Sequence, residues 1–211
     1  MQLVLVRHAL PERVDAPAPV DGPVTRADPG LTPLGHAQAA RLVDVLGAGA
    51  DALYSSPMAR ARSTAAPLER ATGRPATVLD DLREYDADAA HYVPVHEMAR
   101  HDPAAWQRML AGHLPPHVDV GAFGDRVAGA AEGIVAAHPG RETVVLVAHA
   151  GVINVWLARL LGLDRPLVFP LDYTGITRVL AGRDGRRVVR SVNETGHVAD
   201  LLSVHSAEPA G

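Results

Sequence analysis

The stretch QLVLVRHALPE, Gln2 to Glu12, constrains this chain more than any other. Leu3 to Val6 form an unbroken apolar run bounded by polar and charged residues, which fits a strand buried on both faces. Such strands belong to sheets covered by helices on both sides, and those sheets place ligands in the crevice beyond the carboxyl ends of their strands. Here the run stops at Arg7-His8. A second apolar run, Val144 to Ala148, stops in the same way at His149 and is followed by Ala150-Gly151. Two histidines that leave two buried strands can face one another.

Between these strands the pattern alternates. Pro11 to Pro29 is rich in proline and reads as a long surface loop, of a length that is more often functional than idle. Thr32 before Pro33 is a good N-cap with proline at N1, and Leu34, Ala37, Ala40, Val43 and Leu46 recur at helical spacing until Gly47 and Gly49. Asp51 to Tyr54 is a short strand. Ser56 before Pro57 repeats the capping device and predicts a helix from Pro57 to about Thr72, with Arg60 and Arg62 in its first turns. Arginines at a helix start make an anion site. Ala76 to Leu79 is a further strand, which Asp80 to Glu84 leaves.

Residues 85–121 are the least regular part and hold five of the 11 histidines (His91, His96, His101, His113, His117). With a short helix after Asp102-Pro103, they read as a lid-like insertion over the sheet edge or the site. Phe123 to Ala137 and Val152 to Leu161 are predicted helices. Leu167 to Phe169, Gly175 to Ala181 and Arg187 to Asn193 are predicted strands, the last two a hairpin around Arg183-Asp184-Gly185. The expected fold class is α/β: a three-layer α/β/α sandwich with a mostly parallel, mixed sheet and helices on both faces. One domain is expected over 1–204, with a disordered tail at 205–211.

Composition removes several alternatives. A net charge of −4 with 47% hydrophobic residues fits a soluble globular protein and argues against a nucleic-acid partner, which calls for a clustered basic face. With no cysteine, disulfides, thiol catalysis and thiolate metal sites are excluded. No apolar stretch approaches the roughly 18 residues of a membrane span, and the start lacks the cationic leader of a secretory signal, so a cytoplasmic location without membrane partners is expected.

Arg7 with His8, Arg60 with Arg62, His149 and Glu84 therefore lie at strand ends or on the segments leaving them. Arginine matches phosphate oxygens bidentately and keeps its charge. A neutral imidazole nitrogen can attack phosphorus while the other nitrogen is held as a donor, and a carboxylic acid can protonate the leaving alkoxide. The set suits phosphoryl transfer.

Four separated pieces resemble the histidine phosphatase superfamily, the phosphoglycerate mutase-like fold, in its bacterial phosphatase branch. Arg7-His8-Ala9 is similar to its Arg-His-Gly signature, SPMARARSTA (56–65) to its arginine-bearing helix start, Leu82-Arg83-Glu84 to the segment with its acid, and Val147 to Gly151 to its second histidine. Leu31 to Gly35 and Ile176-Thr177 resemble structural positions of that family. The resemblance implies a metal-independent phosphomonoesterase, with no cofactor, acting on a small-molecule phosphate ester. His8 would be the nucleophile that becomes phosphohistidine, Arg7, Arg60, His149 and Ala150 would hold the phosphoryl oxygens, and Glu84 would be the proton donor.

The sequence also departs from the family pattern. Ala9 stands where glycine is expected, adding a methyl group that a positive φ would not tolerate. Leu10-Pro11-Glu12 lacks the polar residues of phosphoglycerate mutases, which weakens a mutase reading. Tyr85-Asp86-Ala87-Asp88 follows Glu84 in place of a glycine-rich segment, leaving Asp86 and Asp88 as alternative proton donors. A non-catalytic phosphate-binding module is the alternative of another class, and a homodimer stays open. Arg62 reads as a surface residue, Tyr92 and Trp106 as core, and Asn193 and His197 as organisers of the last strand. His91 and His96 share no helix face, and no metal-ligand pattern appears.

Overall fold

The computed structural model describes residues 1–16 and 26–202. The predicted tail at 205–211 and the middle of the loop after Pro11 lie outside these residues. Among them the strands are β1 (Gln2–Arg7), β2 (Ala52–Ser55), β3 (Thr77–Val78), β4 (Thr143–Ala148), β5 (Ile176–Ala181) and β6 (Arg187–Glu194). They form one sheet in the order β3-β2-β4-β1-β5-β6, parallel from β3 through β1 and antiparallel at β5 and β6. The β1–β4 register pairs Val6 with Val147 and Arg7 with Ala148, so His8 and His149 leave the sheet side by side.

Alternate strand residues face opposite layers, as the two-sided burial of β1 requires. On one face Val4, Val6, Val145 and Val147 pack with Leu42 and Leu46 of α1 (Pro33–Leu46) and with Ala61 and Leu68 of α2 (Ala59–Thr72). On the other, Leu3, Leu5, Val144 and Leu146 pack with Val127 and Ile134 of an 18-residue helix (Val120–Ala137) and with Val152 and Trp156 of a 12-residue helix (Ala150–Leu161). Each of these valine, leucine and isoleucine side chains contributes roughly 1.5–3 kcal/mol by leaving water. Three layers result. The two long helices are α5 and α6, because Met98–His101 and Pro103–Leu110 form α3 and α4; a short α7 (Ala199–Leu202) ends the described chain. Among the described residues no helix is long and apolar enough to cross a membrane.

Helix α1 starts as its sequence predicts, with Thr32 Oγ1 accepting from the Gly35 N–H at 2.9 Å and Pro33 at the first position. Helix α2 does not. It begins at Ala59 rather than Pro57, and Ser56 is not its cap. The Ala59 N–H donates instead to Asp28 Oδ1 at 2.8 Å, from the loop after β1, which frees Ser56 for another partner.

Leu167 to Phe169 are not a strand. The side chain of buried Asn154 takes the place of a neighbouring strand: its Oδ1 accepts from the N–H groups of Val168 and Phe169 at 3.1 and 2.8 Å, and its Nδ2 donates to Phe169 O at 2.9 Å. Residues 92–97 and the loop after β1 are joined. Val14 and Tyr92 exchange backbone hydrogen bonds of 3.0 and 2.8 Å, and Arg13 reaches Glu97 at 2.7 Å.

Candidate active site

Arg7 and His8 emerge from the middle of the sheet yet are 5% and 3% exposed. His8 Nδ1 lies 2.8 Å from the carbonyl oxygen of Ala9; since a carbonyl only accepts, Nδ1 carries the proton and Nε2 keeps its lone pair. The backbone that follows is held by side chains of two helices. The Ala9 N–H donates to Thr64 Oγ1 at 2.9 Å and the Leu10 N–H to Gln38 Oε1 at 3.0 Å. Among the described non-glycine residues only Thr174 and Asn193 have positive φ, so Ala9 has no need of a glycine conformation, and its methyl packs with Leu31 and Ala39.

Each arginine is held from two sides. Arg7 Nη1 donates to Leu171 O, and its guanidinium carbon lies 4.1 Å from the centre of the Tyr173 ring. Arg60, on the first turn of α2, pairs through Nη2 with Asp86 Oδ1 at 2.9 Å and lies 4.6 Å from the centre of the Tyr92 ring. His149 is wholly buried at the end of β4; its ring lies 5.2 Å from that of His8, and its Nε2 is 2.8 Å from Ser56 Oγ. Four buried nitrogens here have no hydrogen-bond partner among the described residues: Arg7 Nε, Arg60 Nε, Arg60 Nη1 and His149 Nδ1. Buried polar groups are normally paired. The guanidinium N–H groups left over on Arg7 and Arg60 suit an anion with several oxygens, and the N-terminus of α6 at Ala150 adds a further donor end beside them.

A sequence profile of the histidine phosphatase superfamily (branch 1) matches residues 3–195. The chain belongs to that superfamily. It is 31% identical over 182 residues to the bifunctional protein Rv2228c of Mycobacterium tuberculosis, covering 82% of this chain and 49% of that protein, so it spans about half the length of that relative. A Hydrogenobacter thermophilus protein provisionally named phosphoserine phosphatase 2 is 30% identical over 185 residues, with 84% and 88% of the two chains covered. The mycobacterial glucosyl-3-phosphoglycerate phosphatase Rv2419c, in complex with VO3, superposes with a TM-score of 0.73 at 25% identity over 91% of this chain and 98% of that one.

In this superfamily member Glu84 completes the group. Its Oε2 accepts from the Gly151 N–H at 2.8 Å and its Oε1 from the Tyr85 N–H at 3.1 Å. Burial first, and then the negative charge of Asp86, push its carboxyl up to about 7 against these hydrogen bonds and Arg60. His8 is driven the other way. Burial, Arg60 and Arg7 hold it well below the ordinary histidine value, and burial, Arg60, His8 and Arg7 do the same to His149. Both imidazoles are therefore neutral at pH 7.

All five residues singled out for catalysis thus lie together. Of the alternative acids, Asp86 is tied to Arg60, and Asp88 pairs at 3.1 Å with both Arg83 and Arg26 at the surface. Arg62 is exposed, as read. Tyr92, read as core, is buried but serves as the face on which Arg60 lies. The sequence reading missed Ser56 as a partner of His149, Thr64 and Gln38 as supports of the chain after His8, and Tyr173, whose ring centre is 5.9 Å from that of His8. Thr64 carried a signal, since it lies one turn after Arg60 within SPMARARSTA. Tyr173 carried none.

Proposed function

We propose that this chain is a phosphoric monoester hydrolase that works through phospho-His8. The lone pair of His8 Nε2 attacks phosphorus, the bond from phosphorus to the leaving oxygen breaks, and Glu84 gives its proton to that oxygen. Arg7, Arg60, His149 and the N–H of Ala150 bind the phosphoryl oxygens and stabilise the charge of the transition state, the largest contribution in such reactions. Water then attacks the phosphohistidine and yields its proton to the Glu84 carboxylate. The P–N bond breaks, its electron pair returns to Nε2, and inorganic phosphate leaves.

The observation that carries the reading is the set of unpartnered, buried nitrogens on Arg7, Arg60 and His149 around a neutral His8 whose Nδ1 is already engaged. A carboxyl raised to about 7 beside them is a suitable acid for neutral pH. Two permanent cations supply the charge that a metal supplies elsewhere, so EDTA is expected to leave activity intact.

The substrate is proposed to be a small phosphorylated metabolite. The relatives' names direct the first panel to phosphoserine and glucosyl-3-phosphoglycerate, beside an aryl phosphate and a coupled assay for 2- and 3-phosphoglycerate interconversion. The expected result is release of inorganic phosphate that is lost in His8→Ala, together with an acid-labile phosphoenzyme in the unaltered chain. Full turnover by His8→Ala would refute the mechanism.

A further inference from the structure

We infer that Ser56 is a positioning residue that fixes the proton of His149 on Nδ1, so that the neutral ring presents a donor rather than a lone pair to the phosphoryl oxygens. The inference rests on the phosphatase reading above for its function, but not for its geometry.

Ser56 is wholly buried, and its place is set by the sheet. The β2–β4 register pairs Ser55 with Val147, and the Ser56 N–H donates to Val147 O at 3.0 Å, which brings Ser56 beside the residue two positions after Val147. Its Oγ is bonded to two groups. The Met58 N–H donates to it at 3.3 Å, and His149 Nε2 lies 2.8 Å away. A hydroxyl has one hydrogen to give. If Nε2 also donated to Oγ, two donors would converge on the serine, and its own hydrogen would lack an acceptor within a buried site. Ser56 O–H donating to Nε2 satisfies the serine and leaves Nδ1 as the one group without a partner among the described residues, whereas the reverse would leave both the serine hydrogen and Nδ1 unpaired.

A neutral imidazole has one proton. With Nε2 accepting, that proton is on Nδ1, the nitrogen left without a partner among the described residues. Burial and the charges of Arg60 and Arg7 keep a second proton off the ring. His8 is fixed in the same tautomer by the Ala9 carbonyl, with the opposite result. It keeps its lone pair on Nε2 for attack, whereas His149 has its Nε2 lone pair occupied by serine and its N–H free. One hydroxyl and one carbonyl thus assign two chemically identical rings to different tasks.

Two-bond 1H–15N correlation spectra of the uniformly labelled protein read the tautomer directly, the His149 signals being assigned by their loss in His149→Gln. The expected result is an Nδ1–H ring in the unaltered protein. In Ser56→Ala the proton should move to Nε2, the form favoured in water, with inorganic phosphate binding weaker and kcat/KM lower by about 10²- to 10³-fold, as for the loss of one oxyanion donor. Ser56→Thr keeps the hydroxyl and should keep the tautomer, which a merely structural role would not distinguish. An Nε2–H ring in the unaltered protein overturns the inference whatever the variants do, as does an unchanged tautomer in a folded Ser56→Ala. An Nδ1–H ring in a protein that hydrolyses no ester would leave the tautomer assignment standing and refute the phosphatase reading instead.

Discussion

The N–H of Gly151 donates to Glu84 Oε2 at 2.8 Å, and a Cβ on residue 151 would stand 2.3 Å from Oε1 of the same carboxylate. The first turn of α6 therefore both binds the acid and leaves it room. Glycine is required here for close approach, since Gly151 is not among the glycines of positive φ.

Gly151→Ala should displace the Glu84 side chain, because the added carbon would also lie 2.9 Å from the Tyr85 ring and the carboxylate is the more movable neighbour. Steady-state kinetics should show kcat reduced by about tenfold or more, the usual worth of a well-placed general acid being about 10²–10⁴. An unchanged kcat would remove Glu84 from the proposed chemistry.

The rate should fall as pH rises above about 7, where Glu84 loses the proton it must donate. Asp86 raises that value by repulsion, so Asp86→Asn makes the carboxylate form easier to reach. The alkaline limb of the kcat profile should move to lower pH in that variant. A move to higher pH would contradict the arrangement.

Glu84 also links stability to pH. Its value in the folded chain, about 7, lies above its ordinary 4.5, so between these the folded form holds a proton that the unfolded form has released. This contribution is complete below about 4.5, declines as pH rises and is gone above about 7. The Tm of the unaltered protein relative to Glu84→Gln should therefore decrease from pH 4.5 to pH 7. A difference that grows over that window would contradict the raised value.

Gly35→Ala should destabilise by about 1–3 kcal/mol in urea titrations, the usual cost of overpacking. A Cβ there would lie 2.1 Å from the carbonyl oxygen of Leu10, and backbone cannot swing aside as a side chain can. The same shift would disturb Ala9 and Leu10, so phosphate binding should weaken along with stability.

Tyr173→Phe and Tyr173→Ala separate ring from hydroxyl. Phenylalanine keeps the face on which Arg7 lies at 4.1 Å and should leave phosphate affinity within about twofold. Alanine removes it, and since a desolvated cation–π contact is worth about 2 kcal/mol, Kd for inorganic phosphate should rise by roughly tenfold or more. Equal losses in both variants would assign the effect to the hydroxyl.

Much of this arrangement was legible along the chain. Leu3 to Val6 and Val144 to Ala148 specified buried strands because an unbroken apolar run has to be covered on both faces, and their ends put Arg7-His8 and His149 in one crevice. Local chemistry was equally readable at Thr32-Pro33, where a side chain three residues away does the capping.

Contacts between distant segments were not legible. Ser56 has the sequence of a helix cap, but Asp28, 31 positions before the Ala59 N–H it accepts from, supplies that acceptor, and His149, 93 positions from Ser56, claims the serine. Leu167 to Phe169 read as a strand until Asn154 satisfied their backbone. Tyr173 and Asp86 carry no motif, yet they fix how Arg7 and Arg60 are held. The sequence by itself determined which residues must be buried and which polar groups stand at the strand ends, since these follow from hydrophobic period and local hydrogen bonding. Only the tertiary structure decided which acceptor each donor meets, and so which protonation state each site residue takes, because burial and hydrogen-bond satisfaction depend on neighbours brought close through space rather than along the chain.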